Sequence, residues 1–194
     1  MKIIKIVFGV IVFFTLPTLL LFGYGYFKYN EPLPKGIEGP EANALAKKML
    51  NVLNYDAYKQ TQYIAWTFKK RHHYKWKKNE NNCIVFWKNY KVAVDLTNND
   101  NSKAYKNNIL MHGEASKKAI DKAVTYFNND SFWLVAPYKV FDPGTKRAVV
   151  HLPNNQKGLL VTYASGGTTP GDSYLWLFDE NGKPKAYKMW TSIL

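Results

Sequence analysis

Residues 6–27 are 22 uncharged, mostly apolar positions in a row, and only beyond them does the chain begin to alternate between apolar and polar. At about 1.5 Å of rise per residue a helix of that length spans about 33 Å, enough to cross a hydrocarbon core of about 30 Å. Lys2 and Lys5 precede the run and Lys28 closes it. Tyr24, Tyr26 and Tyr29 gather at its distal end, where amphipathic rings sit at headgroup level. Pro17 lies inside the run, which a lipid-buried helix tolerates. The pattern predicts an uncleaved N-terminal membrane anchor over residues 1–28. The alternative is a signal peptide, whose apolar core is usually ~7–15 residues and ends in a small-residue cleavage site. Here the run is longer, and only Gly23-Tyr24-Gly25 offers small residues at that spacing. In both cases the remainder is exported.

Residues 29–40 follow with Pro32, Pro34, Gly36, Gly39 and Pro40, the composition of an extended linker. A domain is expected over residues 41–194. Ala42, Leu45, Ala46, Met49, Leu50 and Leu53 recur at helical spacing. Residues 62–78 contain no Gly or Pro and alternate strictly. Ile64, Trp66, Phe68, Lys70, His72, Tyr74 and Trp76 share one parity, and most of the bases share the other, which predicts a strand with one apolar and one wet face. Residues 83–87 and 92–96 read as a hairpin around Lys88-Asn89-Tyr90. A second helix is predicted over residues 114–127, ended by Asn128-Asn129-Asp130. Short strands follow at 132–135, 139–141, 147–152, 158–164, 174–178 and 186–190. The expected class is α+β: an N-terminal transmembrane helix plus helices laid on one face of a large antiparallel β-sheet.

Charge sharpens the picture. The formal net charge is +13, and Lys2, Lys5 and Lys28 account for only three of the positive charges. So basic a domain tethered beside a bilayer favours anionic headgroups. Nucleic acid is not expected as a partner of an exported domain. Cys83 is the single cysteine, so a disulfide framework is impossible, and its apolar surroundings read as core.

Candidate chemistry is sparse. Residues 69–78 hold six bases and no acid. Lys69, Lys70, Arg71, Lys75 and Lys77 form the candidate headgroup strip. His72 and His73 are adjacent in a strand and point to opposite faces, so they cannot chelate one metal together; His112 and His151 stand apart, and no metal site is expected. There is no G-x-S-x-G elbow, and the loop at residues 162–172, with Ser165 and Asp172, lacks the Gly-Lys-Ser/Thr ending of a phosphate loop and reads as a turn. No catalytic residue and no cofactor are assigned. The candidate lining of a ligand hollow is the set Trp66, Phe68, Trp76, Phe86, Trp133 and Trp176.

Three stretches carry a resemblance. They are Phe68-Lys69-Lys70-Arg71-His72-His73-Tyr74-Lys75-Trp76; then Asn129-Asp130-Ser131-Phe132-Trp133-Leu134-Val135-Ala136-Pro137-Tyr138-Lys139 with Asp142-Pro143-Gly144; and Thr169-Pro170-Gly171-Asp172-Ser173-Tyr174 with Lys188-Met189-Trp190. Together they resemble a branch of exported proteins related to the outer-membrane lipoprotein-sorting carriers, the LolA/LolB/LppX-like fold. The resemblance implies an unclosed, strongly curved antiparallel sheet, an open half-barrel, with helices on its concave face and a hollow for acyl chains. The carriers are free periplasmic proteins, whereas this chain reads as tethered. The expectation is therefore a non-enzymatic, single-pass protein of the cell inner membrane. Its periplasmic domain binds a lipid or lipoprotein acyl chain, with membrane lipid and a lipoprotein or other envelope protein as partners. The alternative is an envelope interaction or structural protein with a filled core.

Overall fold

A computed structural model of the chain describes residues 2–166 and 170–191. It divides into two compact units, Met1–Lys35 and Gly36–Leu194. The first is a single helix, α1 (Lys2–Tyr29), of which the stretch Ile3–Tyr29 is long and apolar enough to cross a membrane. Its two hydroxyls bond back within the helix, Thr15 to the Ile11 carbonyl at 2.8 Å and Thr18 to the Phe14 carbonyl at 3.1 Å. Neither then needs water, as a lipid-facing helix requires.

The second unit is α+β. After β1 (Ile37–Glu38) come α2 (Pro40–Val52) and α3 (Tyr55–Gln60). A meander follows: β2 (Tyr63–Phe68), β3 (His72–Lys77), β4 (Asn82–Trp87), β5 (Tyr90–Asp95), β6 (Lys103–Lys106) and β7 (Ile109–Leu110). A long helix, α4 (Gly113–Val135), leads into β8 (Thr145–His151), β9 (Lys157–Tyr163), β10 (Ser173–Phe178) and β11 (Pro184–Trp190). Among the described residues the strands form two antiparallel sheets, β2-β3-β4-β5-β6-β7 and β1-β8-β9-β10-β11, rather than one large sheet. Neither closes on itself. The 23 residues of α4 intervene between β7 and β8, and each sheet builds its own core. Tyr74, Cys83, Val85, Val92 and Val94 of the meander pack under Ala119, Ala123 and Phe127 of α4. Met49, Leu50 and Ala46 of α2 pack on Leu159, Val161 and Trp176 of the other sheet. The stretch expected as linker is partly taken up here. Ile37 and Glu38 pair with Val149 and Ala148, and Gly36 lies so close that a β-carbon there would come within 2.6 Å of the Ala148 Cβ.

Two local expectations are corrected. Residues 62–78 are a hairpin and not one strand. The chain reverses at Lys69 and Lys70, which take φ of 47° and 55°. The turn carries no Gly or Asn to announce it, because lysines occupy left-handed positions that cost a residue with a β-carbon roughly 1–2 kcal/mol. The alternation survives the reversal, since Phe68 pairs with His72, Trp66 with Tyr74 and Ile64 with Trp76, and cross-strand partners share a face. Second, α4 does not stop at Asn128-Asn129-Asp130. It runs to Val135, so residues 132–135 are helical, and the strand expected at residues 139–141 is instead the end of a 3₁₀ helix (136–139) and a turn. Tertiary contacts override the stop signal. Asp130 is drawn onto the meander, and Phe132 packs against the rings of Tyr163 and Tyr174 at 5.2 and 5.0 Å.

Candidate functional site

The two halves of α4 do different things. Along the first, small residues let the helix sit close on the meander: Ala123 is fully buried and Ala119 nearly so. At the end of that stripe comes an acid. Asp130, 5% exposed, presents one carboxylate oxygen to both β3 partners on the inner face. The Tyr74 hydroxyl donates to it at 2.5 Å, and the His72 Nδ1 lies 2.7 Å away. The His72 ring stacks on Tyr126 at 3.9 Å and the Tyr74 ring on Trp66 at 4.3 Å. Burial, and then the bond to Asp130, push the Tyr74 phenol far above the ordinary tyrosine range. A carboxylate that orients an imidazole is half of a general-base arrangement. Through these two bonds the cluster ties α4 to β3.

Along the second half of α4 lies a hollow of about 540 Å³. Trp76, Phe127, Phe132, Trp133, Tyr163 and Tyr174 give it ring walls. Polar groups stand among them: Asn128, Asn129 and Ser131 of α4, Ser165, and the ion pair of Lys139 with Asp142 at 2.5 Å. The volume falls in the range of small-ligand sites, about 300–1,000 Å³, and the mixture of rings with a few polar groups is their usual lining. Burial raises the Tyr163 phenol, with the Asp142 charge adding to it, and lifts Tyr174 to about 12 with the help of Asp172. Both phenols therefore stay neutral. A second groove, of about 520 Å³, lies on the outer face of the meander among Tyr63, Lys75, Lys77, Ile84 and Asp95.

The candidate hollow set divides. Trp76 and Trp133 line the hollow. Trp66 and Phe68 pack against α4 in the meander core, and Trp176 is buried in the core under α2. Phe86 pairs with His73 on the outer face, with the Lys75 ammonium 5.9 Å from its ring centre. Of the headgroup strip, Lys69, Lys70 and Arg71 form the exposed β2–β3 turn. Lys75 and Lys77 project from the outer face of β3, and Lys77 pairs with Glu80 at 3.0 Å. Cys83 is fully buried, and burial pushes its thiol up to about 12. Of the loop at residues 162–172, residues 167–169 lie outside the described residues. Its flanks are closed by backbone bonds between Tyr163 and both Gly171 and Asp172.

Sequence reasoning did not single out Asp130. Carrying the helical spacing on from Ala119 through Ala123 and Phe127 reaches Asp130 and puts an acid in an apolar stripe. That is the mark of a buried, partnered carboxylate. The polar residues of the hollow had no such signal, because three separate segments bring them together. No family model matches this chain, and no curated protein or solved structure is significantly similar to it.

Proposed function

We propose that the chain is a membrane-anchored, exported and non-enzymatic protein whose domain holds a hydrophobic ligand, a lipid or a lipoprotein acyl chain, in the hollow beside the second half of α4. The observation that carries this reading is the ring-walled space of about 540 Å³. Each methylene buried there contributes about 0.8 kcal/mol. The polar groups at Asn129, Lys139 and Ser165 serve a headgroup or ester. On this reading the two sheets act together as the walls of an open half-barrel around α2 and α4, as the likeness to the lipoprotein-sorting carriers implies. The bases of the β2–β3 turn, Lys69, Lys70 and Arg71, face headgroups. On this reading the N-terminal helix is an anchor in the cell inner membrane and the domain lies on the periplasmic side.

Native mass spectrometry of the full chain, extracted in mild detergent, tests this. Wild type carries bound lipid, and Asn129→Trp, which fills the hollow from an exposed helical position, loses it. A wild-type chain that never carries lipid overturns the reading. The second reading, an envelope interaction protein with a filled core, is favoured by the burial of Trp176 within one packed cluster and the half-burial of Trp66 against the other. It is the one left standing by that outcome.

A further inference from the structure

Because the meander is sequential and antiparallel, its turns alternate between two ends. The turns at residues 69–71, 88–89 and 107–108 share one end. That end gathers Lys69, Lys70, Arg71, Lys88 and Lys106, all exposed, and no acid lies in those turns. At the opposite end bases alternate with Glu80, Asp95 and Asp100. Across six strands at about 4.8 Å each, the basic edge is roughly 25 Å long. It is also rigid. The Asn89 side-chain amide donates to the Asn107 side-chain oxygen at 2.9 Å, and the Asn107 backbone N–H donates to the Asn89 carbonyl at 2.9 Å, joining two of the tips. Lys69, Lys70 and Lys88 hold left-handed conformations that Gly or Asn would take more easily, so charge sits where backbone preference argues against it. Beside the bases, Ile109 is 72% exposed and Leu110 42%.

We infer that this edge of the meander is a docking surface for an anionic phospholipid bilayer. Lys69, Lys70, Arg71, Lys88 and Lys106 meet headgroup phosphates, and Ile109 enters the interface between them. The inference rests on the membrane-tethered part of the proposed function and is independent of the ligand hollow. A row of bases alone suits any polyanion. Solvent-facing apolar side chains set among them suit a surface with an apolar layer behind its charge. Docking of this edge leaves the outer face of β3, with Lys75 and Lys77, off the bilayer plane.

The test uses the full chain in nanodiscs of phosphatidylcholine alone or mixed with phosphatidylglycerol. An environment-sensitive fluorophore is placed at Ile109→Cys or, at the opposite end, at Asn79→Cys; buried Cys83 stays unlabelled. The expected result is a blue shift and protection from a soluble quencher at position 109 only, in the anionic discs only, reversed by high salt. Replacing the five bases with Gln weakens the association by about fivefold per charge removed. Salt reversal on the native bases serves as the reading if that variant misfolds. Equal quenching at both positions in both lipids overturns the inference. So does a label that stays quenchable while the edge binds heparin, which would make it a polyanion site. Asn129→Trp, which fills the hollow and so displaces its ligand, leaves the position-109 result unchanged, so the two proposals fail separately. A chain recovered in soluble form removes the tether, and docking is then read from its co-sedimentation with vesicles of the same two compositions.

Discussion

The Tyr74 hydroxyl, at the centre of β3, donates a 2.5 Å hydrogen bond to the carboxylate of Asp130, 56 residues away on α4. That bond places an acid at the seam between helix and sheet, where Tyr74 is 1% and Asp130 5% exposed. A charge is tolerated there because the phenol and the His72 imidazole together replace the water it has lost.

Removing the acid should therefore be costly. Asp130→Ala strands the Tyr74 hydroxyl and the His72 N–H, each at about 1–3 kcal/mol. Tyr74→Phe keeps the ring packing, leaves the carboxylate its histidine, and costs less. Urea unfolding followed by tryptophan fluorescence should show that the double variant loses less than the sum of the singles. Strict additivity would mean that the two side chains are not coupled.

Close approach of α4 to the meander depends on its alanines. Ala123 is fully buried between helix and sheet, and Ala123→Leu should destabilise the domain by about 1–3 kcal/mol through overpacking. Ala115→Leu, at an exposed position on the same helix, should stay within about 0.5 kcal/mol of wild type. Matching effects at the two positions would argue against the packing described.

Alkaline pH should unfold the domain. Burial raises Tyr58 and Tyr174 from 10.0 to about 12 and Cys83 from 9.0 to about 12, so the folded state holds these protons more tightly than the unfolded chain does. Their contribution is fully present below pH 9.0 and is lost progressively as pH rises to about 12. Unfolding free energies measured across that window should fall. A flat profile would contradict the neutral burial of these groups.

Relieving the β2–β3 turn should separate stability from docking. Lys70 holds φ of 55°, and Lys70→Gly removes roughly 1 kcal/mol of strain. The melting temperature should rise while association with anionic bilayers weakens. A variant that loses on both measures would show that the lysine contributes to the folded turn itself.

Much of this protein follows from local pattern alone. The uncharged run, the positions of β4, β5 and β8 to β11, and the two amphipathic helices can all be read along the chain. Burial imposes a period of two or 3.6 on residues close in sequence, and Gly, Pro and Asn punctuate most of the turns. The hairpin inside residues 62–78 was not legible, because lysines occupy its left-handed positions and the alternation passes through the reversal intact. The end of α4 was misplaced because Asn128-Asn129-Asp130 has the composition of a stop, while the energy that extends the helix comes from Tyr74, His72, Tyr163 and Tyr174, far away in sequence. The split into two sheets, the ring-walled hollow and the gathering of Lys88 and Lys106 beside the basic run at Lys69, Lys70 and Arg71 belong to the tertiary structure alone. Each depends on which strands pair and which turns share an end, and pairing energy between distant segments leaves no periodic trace in either of them.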